Sequence, residues 1–106
     1  MGLLQLLSLG IPTERLTDIA QLVAERSQRE VAQRVAGRTA GMSVAERRGY
    51  IRARSAAVVQ RECDVALAEN RHRRAADRDA LVELATNAVI AALSSATVTA
   101  RHRRAA

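Results

Sequence analysis

The sequence of 106 residues contains no Lys, Phe or Trp, and it has one Tyr, one Pro and one Cys. A single Cys excludes an intrachain disulfide and favours a reducing compartment, so we expect a cytoplasmic protein with Cys63 buried as a small hydrophobe. With Tyr50 as the only aromatic residue, extended stacking on exposed nucleic-acid bases is excluded. From Tyr50 to the C-terminus there is neither Gly nor Pro, which favours long helices over turns.

Large apolar side chains are also scarce, because Ala supplies 22 of the 51 apolar residues. An Ala methyl contributes much less than a Leu or Phe side chain, since burial stabilises by about 25 cal/mol per Å². A chain of this length forms one domain whose core is adequate but not generous. We therefore expect an all-α chain of three helices that gains further burial as a homo-oligomeric helical bundle.

Hydrophobic periodicity predicts helices over about residues 12–36, 44–70 and 77–100, preceded by a short leucine-rich apolar arm over residues 1–11. No Gly or Pro enforces a turn between the second and third helices. A continuous rod therefore remains an alternative to a break near residues 70–77.

Capping signals and apolar stripes define the first two helices. Gly37 suits the C-terminal end of the first, and Ser43 with Glu46 predicts a capping box that opens the second. The stripe of the first helix consists of Leu16, Ile19, Ala20, Val23, Val31 and Val35. A sevenfold repeat predicts a coiled-coil-like seam on the second, formed by Ile51, Val58 and Val65 with Ser55, Val59 and Ala66 beside them.

The third helix has no charged residue from Leu84 to Ala100 and is apolar through more than half its circumference. Such a helix lies in the centre of a bundle or in a subunit interface. Its Ser, Thr and Asn residues argue against a membrane span. The predicted oligomer interface comprises Leu81, Leu84, Ala85, Ala88, Val89, Ala92, Leu93 and Ala96. The arm, Leu3 to Ile11, either covers the end of the bundle or docks on a protein partner.

All 17 basic residues are Arg, and the net charge is +6. Guanidinium groups bind phosphate and carboxylate bidentately, which favours a polyanionic partner. A GC-rich genome raises Arg and Ala as well, so the bias also has a compositional interpretation. The candidate anion-binding residues form three clusters, and the last two belong to two copies of the hexapeptide RHRRAA: Arg47, Arg48, Arg52, Arg54; Arg71, Arg73, Arg74; Arg101, Arg103, Arg104.

Residues 18–35 resemble a helix-turn-helix of the lac-repressor kind. The resemblance places Ala24 at the turn and makes Ser27 the cap of a recognition helix that carries Arg29 and Arg34. The turn holds Ala where that family favours Gly, and it is one residue longer. An uninterrupted amphipathic helix accounts for the same residues.

The segment from Leu22 to Arg26, followed by Val31 and Val35, resembles the first helix of the all-helical chorismate mutases. That resemblance implies a dimer of three-helix chains in which Arg and Lys side chains hold a dicarboxylate. Arg26 matches one of these positions, but Leu9 and Gly37 stand where the family has an Arg and a Lys.

No arrangement of Ser, His, Asp or Cys predicts catalysis, and we expect neither a cofactor nor a metal ion. The sequence favours a non-enzymatic interaction or assembly protein that self-associates. A basic protein that contacts the phosphate backbone of nucleic acid is the second interpretation, and a small all-helical enzyme is the third.

Overall fold

The structure is a computed structural model that describes the backbone over residues 13–70 and 75–105 and the side chains over residues 14–70 and 76–94. The described residues form three packed helices: α1 (Thr13–Val35), α2 (Val44–Glu69) and α3 (Ala75–Ala105). The described residues contain no strand, so the all-α class is confirmed. α2 and α3 are separate helices, and α3 begins earlier and ends later than the sequence predicts. The predicted arm, residues 1–11, lies outside the described residues.

The buried side of α1 is the apolar stripe predicted from the sequence, and each member is at most 9% exposed: Leu16, Ile19, Ala20, Val23, Val31 and Val35. The helix ends at Val35 because Gly37 takes a φ of 71°, in the left-handed region that glycine tolerates. The N–H of Arg38 then donates to the carbonyl oxygen of Val35 at 3.0 Å.

The continuity of α1 excludes the turn that a helix-turn-helix needs. Ala24 and Ser27 lie inside the helix and are 5% and 0% exposed. The hydroxyl of Ser27 donates to the carbonyl oxygen of Val23 at 2.7 Å, so it is satisfied one turn back in its own helix and caps no second one. The helix-turn-helix interpretation of residues 18–35 is wrong.

The predicted capping box at the start of α2 is confirmed. The N–H of Glu46 donates to Ser43 Oγ at 3.1 Å, and the N–H of Ser43 donates to Glu46 Oε1 at 3.3 Å. At the other end of the helix, the side-chain amide of Asn70 donates to the carbonyl oxygen of Ala66 at 2.7 Å. Both ends of α2 thus satisfy backbone groups that have no partner within the helix.

The sevenfold seam predicted for α2 holds at Ile51 and Val58, which are 2% and 1% exposed, but not at Val65, which is 43% exposed. Burial also follows every fourth residue, along Arg47, Ile51, Ser55, Val59, Cys63 and Leu67, with Val58 and Ala66 buried beside this row. Four residues advance about 40° beyond a full turn, so the buried side winds around the helix and leaves Val65 outside it.

Burial on α3 follows the same fourfold spacing. Leu81, Ala85 and Val89 are fully buried, and Leu93 is 8% exposed. Each helix contacts both of the others, and their buried residues form one apolar cluster in a body of 56 × 23 × 20 Å. None of the helices, over the residues described, combines the length and apolar character needed to cross a bilayer.

Candidate anion-binding site

Two contacts define how α2 and α3 run past each other. Arg52 Nη2 donates to Asn87 Oδ1 at 2.9 Å, and Arg78 Nε donates to Asp64 Oδ1 at 2.7 Å. Residue numbers rise on one helix as they fall on the other, so the two helices are antiparallel. The beginning of α2 therefore lies beside the C-terminal half of α3. We call this end, with the loop of residues 36–43, the loop end, and the end with Glu69 and Ala75 the far end.

Positive charge is concentrated at the loop end. From Arg34 to Arg54 the chain carries six Arg and one acid, Glu46, whose carboxylate is bonded within the capping box. The neighbouring part of α3 has no charged residue from Leu84 to Ala100. Beyond the contact of Arg34 with Glu30 at 3.2 Å, no described carboxylate pairs with an arginine of this stretch. The loop end therefore carries a positive field that the rest of the bundle leaves largely uncompensated.

The four predicted arginines of α2 occupy different surroundings. Arg48 is exposed and has no partner among the described residues. Arg52 is exposed and donates to Asn87, an uncharged acceptor. The guanidinium of Arg54 lies 5.3 Å from the centre of the Tyr50 ring, within range of a cation–π interaction. Arg47 is only 7% exposed, so the cluster is three surface cations and one buried cation.

Arg61 continues the spacing of this cluster but belongs to an ion-pair network. Its Nη2 lies 3.0 Å from Glu30 Oε1 and 3.5 Å from Glu62 Oε1. The hydrogen bond from Arg61 holds the pKa of Glu30 below its ordinary value. Since two carboxylates neutralise Arg61, we exclude it from the site.

The far end differs, because two of its described arginines pair with carboxylates. Arg78 pairs with Asp64 and lowers the pKa of that carboxyl through the hydrogen bond. Arg26 lies 3.4 Å from Glu69 Oε2, and Arg15 donates to Asn70 Oδ1 at 3.2 Å. Arg26 is thus a surface ion-pair partner of α2, and nothing described around it forms the dicarboxylate site that a chorismate mutase needs.

The two copies of the basic hexapeptide are separated by the fold. Arg71, Arg73 and Arg74 fall in the connection between α2 and α3, outside the described residues. The backbone of α3 continues as helix through Arg101, Arg103 and Arg104, whose side chains lie outside the described ones. Because α3 runs antiparallel to α2, this part of its backbone lies at the loop end. Of the ten predicted arginines, only the four of α2 have described side chains.

The predicted oligomer interface is divided by the fold of the single chain. Leu81, Ala85, Val89 and Leu93 face the core of their own bundle. Leu84 is 36% exposed, while Ala88 and Ala92 are half-buried. Ala96 lies outside the described side chains. The outer side of α3 is therefore the part that stays open to a second copy.

The described region has a buried thiol and no metal-binding cluster. Cys63 is fully buried, as predicted, and burial raises the pKa of its thiol to about 12, so the reactive thiolate is suppressed. Among the described residues, no group of three or more His, Cys, Asp or Glu side chains is placed to hold a metal ion.

Sequence reasoning missed the burial of Arg47 and the role of Asn87. The fourfold spacing of Arg47, Ile51 and Ser55 is the signal that places Arg47 on the core side of α2. Asn87 gives no such signal, because its contact with Arg52 depends on the register of two helices. Comparison with protein-family models, with curated proteins and with solved structures finds no match to this chain.

Proposed function

We propose that the protein binds the phosphate backbone of duplex or structured nucleic acid through the exposed arginines of the loop end. The observation that supports this proposal is the stretch from Arg34 to Arg54, with six Arg and one acid that is engaged in a helix cap. Arg26, Arg61 and Arg78 pair with carboxylates elsewhere in the bundle, which supports a local imbalance. The single Cys of the sequence favours a cytoplasmic location for this function.

Arg48 and Arg52 are the central contacts of the proposal. They are one helical turn apart, so both project from the same side of α2. Asn87 orients Arg52 through a neutral amide oxygen and leaves its charge available. Arg54, on the other flank of α2, is held against Tyr50 in a similar way. Three unneutralised guanidinium groups, two of them held by a neighbouring side chain, are suited to phosphate oxygens, which they bind bidentately.

The same surroundings favour contacts with the backbone over contacts with bases. Tyr50 is half-buried and covered by Arg54, so its ring is not free to stack on a base. The continuous α1 removes the recognition helix that the sequence resembled. We therefore expect affinity that depends on salt and hardly on sequence.

Fluorescence anisotropy with two unrelated duplexes of equal length tests the proposal. The wild-type protein is expected to bind both with similar affinity, and the double variant Arg48→Gln, Arg52→Gln is expected to bind both more weakly. The matched control is Arg15→Gln, Arg26→Gln, which removes the same charge from the far end and is expected to keep most of the affinity. No binding of the wild type at about 50 mM salt would reject the proposal, since backbone contacts are strongest at low salt.

A second candidate function is self-association as an assembly protein through the outer side of α3. It is favoured by the lack of charge from Leu84 to Ala100. Over the described side chains of this stretch, residues 84–94, the core covers one side only. Leu84 is 36% exposed and Ala91 is exposed. The apolar arm, Leu3 to Ile11, is an additional candidate contact for a protein partner.

Light scattering separates this candidate from the first. If the outer side of α3 is an interface, Ala91→Glu dissociates the oligomer, because burying an unpaired carboxylate there is unfavourable by several kcal/mol. Ala57→Glu, on an exposed position of α2, serves as the control and is expected to leave the size unchanged. A monomeric wild type would reject self-association and leave the nucleic-acid proposal intact.

A further inference from the structure

Arg47 is the one described arginine that lies in the core row of a helix. It precedes Ile51 and Ser55 in the fourfold spacing, and the residue is only 7% exposed. Its Nε is fully occluded and has no hydrogen-bond acceptor among the described residues. No contact with a described residue satisfies its two terminal nitrogens, which keep contact with solvent. The guanidinium is therefore buried on one side and open on the other.

The described surroundings of Arg47 supply no counter-charge. Glu46, its neighbour on α2, is bonded in the capping box. The facing part of α3 carries no charged residue from Leu84 to Ala100, and the nearest charged residue of the loop is another arginine, Arg38. A buried charge without a partner is strongly unfavourable, and a guanidinium does not escape the penalty by losing its proton. An anion from solution would offset this penalty.

A second buried polar group lies at the same level of the bundle. The hydroxyl of Ser94 is occluded and has no hydrogen-bond partner. The contact between Arg52 and Asn87 sets the register of the two helices. Arg47 lies five residues before Arg52 on α2. Because the two helices are antiparallel, the position opposite Arg47 lies about five residues after Asn87 on α3. Ser94 is within about one turn of that position. Two hydrogen-bond donors without a described acceptor thus lie at about the same level of the bundle.

The first turn of α2 adds to this arrangement. The capping box engages the amides of Ser43 and Glu46 and leaves those of Val44 and Ala45 without an acceptor among the described residues. Long side chains of a helix lean toward its N-terminus, so the Arg47 guanidinium lies on the side of this turn. The N-terminus of a helix favours anions through its free amides and its dipole.

We propose that Arg47, together with Ser94 and the first turn of α2, forms a binding site for a phosphate group. Phosphate is preferred over carboxylate because its tetrahedral oxygens can accept hydrogen bonds from a guanidinium, a hydroxyl and backbone amides that lie in different planes. The site is distinct from the surface arginines Arg48 and Arg52. It goes beyond the proposed nucleic-acid function, because a free phosphate compound would fit it as well as a backbone phosphate.

Thermal melting with inorganic phosphate tests the site. Phosphate replaces chloride at constant ionic strength, and acetate replaces it in a parallel series. The wild type is expected to show a saturable rise in melting temperature with phosphate and none with acetate, since a ligand of the folded state stabilises it by mass action. Arg47→Met keeps the packing of the side-chain stem but removes the charge. It is expected to lose the response and to melt no lower than the wild type without phosphate.

Two further variants complete the test. Arg15→Met changes an exposed arginine of the far end and is expected to keep the full phosphate response. Ser94→Ala removes one hydrogen bond to a charged ligand and is expected to weaken phosphate binding about tenfold. If Arg47→Met does not fold, Ser94→Ala provides the test of the site. An equal response in the wild type and Arg47→Met, an equal effect of acetate, or unchanged affinity in Ser94→Ala would overturn the proposal.

Duplex binding by the same variants identifies the source of the phosphate group. If Arg47→Met weakens binding to a duplex together with binding to inorganic phosphate, the site holds a phosphate of the nucleic-acid backbone. If it weakens only binding to inorganic phosphate, the site serves a free phosphate compound. Failure of the Arg48→Gln, Arg52→Gln experiment would leave the melting result unaffected, so the two proposals fail independently.

Discussion

Arg52 donates a hydrogen bond of 2.9 Å to the amide oxygen of Asn87 and thereby connects the basic side of α2 to the uncharged part of α3. An amide oxygen fixes the guanidinium without neutralising it. This contact contrasts with Arg61, which the carboxylates of Glu30 and Glu62 surround. The difference between an amide and a carboxylate as partner separates an arginine that can bind a polyanion from one that cannot.

Asn87→Asp is therefore expected to weaken binding to a duplex, because the new carboxylate neutralises Arg52. The plot of log affinity against log salt is expected to become shallower by up to about 0.9, the contribution of one phosphate contact. Asn87→Ala frees Arg52 without adding charge and is expected to keep the slope of the wild type. Equal slopes for Asn87→Asp and Asn87→Ala would show that Arg52 makes no contact with phosphate.

The packing of α2 is tested by two valines at equivalent positions of the sevenfold repeat. Val58 is 1% exposed and Val65 is 43% exposed. Val58→Ala is expected to lower the free energy of unfolding by about 2 kcal/mol through lost burial and a residual cavity. Val65→Ala is expected to lower it by less than about 0.5 kcal/mol, as for most surface changes. Urea denaturation of both variants measures the difference, and equal losses would favour the coiled-coil seam instead.

The capping box is a separate source of stability. Ser43→Ala removes the acceptor for the N–H of Glu46 and is expected to lower the free energy of unfolding by about 1 kcal/mol. Ser43→Gly is expected to lower it by only a few tenths of a kcal/mol, because glycine is itself tolerated as a cap. Equal stability of Ser43→Ala and the wild type in urea would show that the box does not contribute.

The ion pair of Asp64 and Arg78 predicts a dependence of stability on pH. Arg78 lowers the pKa of Asp64 in the folded state, whereas an aspartate in an unfolded chain titrates at about 3.9. The pair therefore stabilises the fold above that pH, and its contribution is lost as the pH falls through the lower, folded value. Both side chains are partly exposed, so the contribution is small.

Asp64→Asn is expected to lower the melting temperature slightly at neutral pH and to match the wild type at a pH below the folded value. The measurement is the melting temperature of both proteins across this range. A difference that persists at the lowest pH would mean that Asp64 stabilises the fold by something other than its charge.

The sequence predicted the helices more fully than it predicted the site. The stripe of α1, the end at Gly37 and the capping box at Ser43 follow from neighbouring residues, so local rules were sufficient. The predicted place of Val65 in the buried seam was wrong. A sevenfold repeat assumes a straight seam, whereas the buried side of α2 winds around the helix. The burial of Arg47 beside the exposed Arg48 and the pairing of Arg52 with Asn87 depend on how the helices pack. For α3, an almost uniform lack of charge gave no signal for which side faces the core.

The salt dependence of duplex affinity tests the central claim most directly. Three proteins are compared on one duplex: the wild type, the loop-end double variant (Arg48→Gln, Arg52→Gln) and the far-end double variant (Arg15→Gln, Arg26→Gln). The proposed loop-end site predicts that affinity falls steeply with salt for the wild type and for the control. For the loop-end variant, the slope of log affinity against log salt is expected to be shallower by up to about 1.8, which corresponds to two lost phosphate contacts. A wild-type affinity that is independent of salt, or equal slopes for the two double variants, would contradict it.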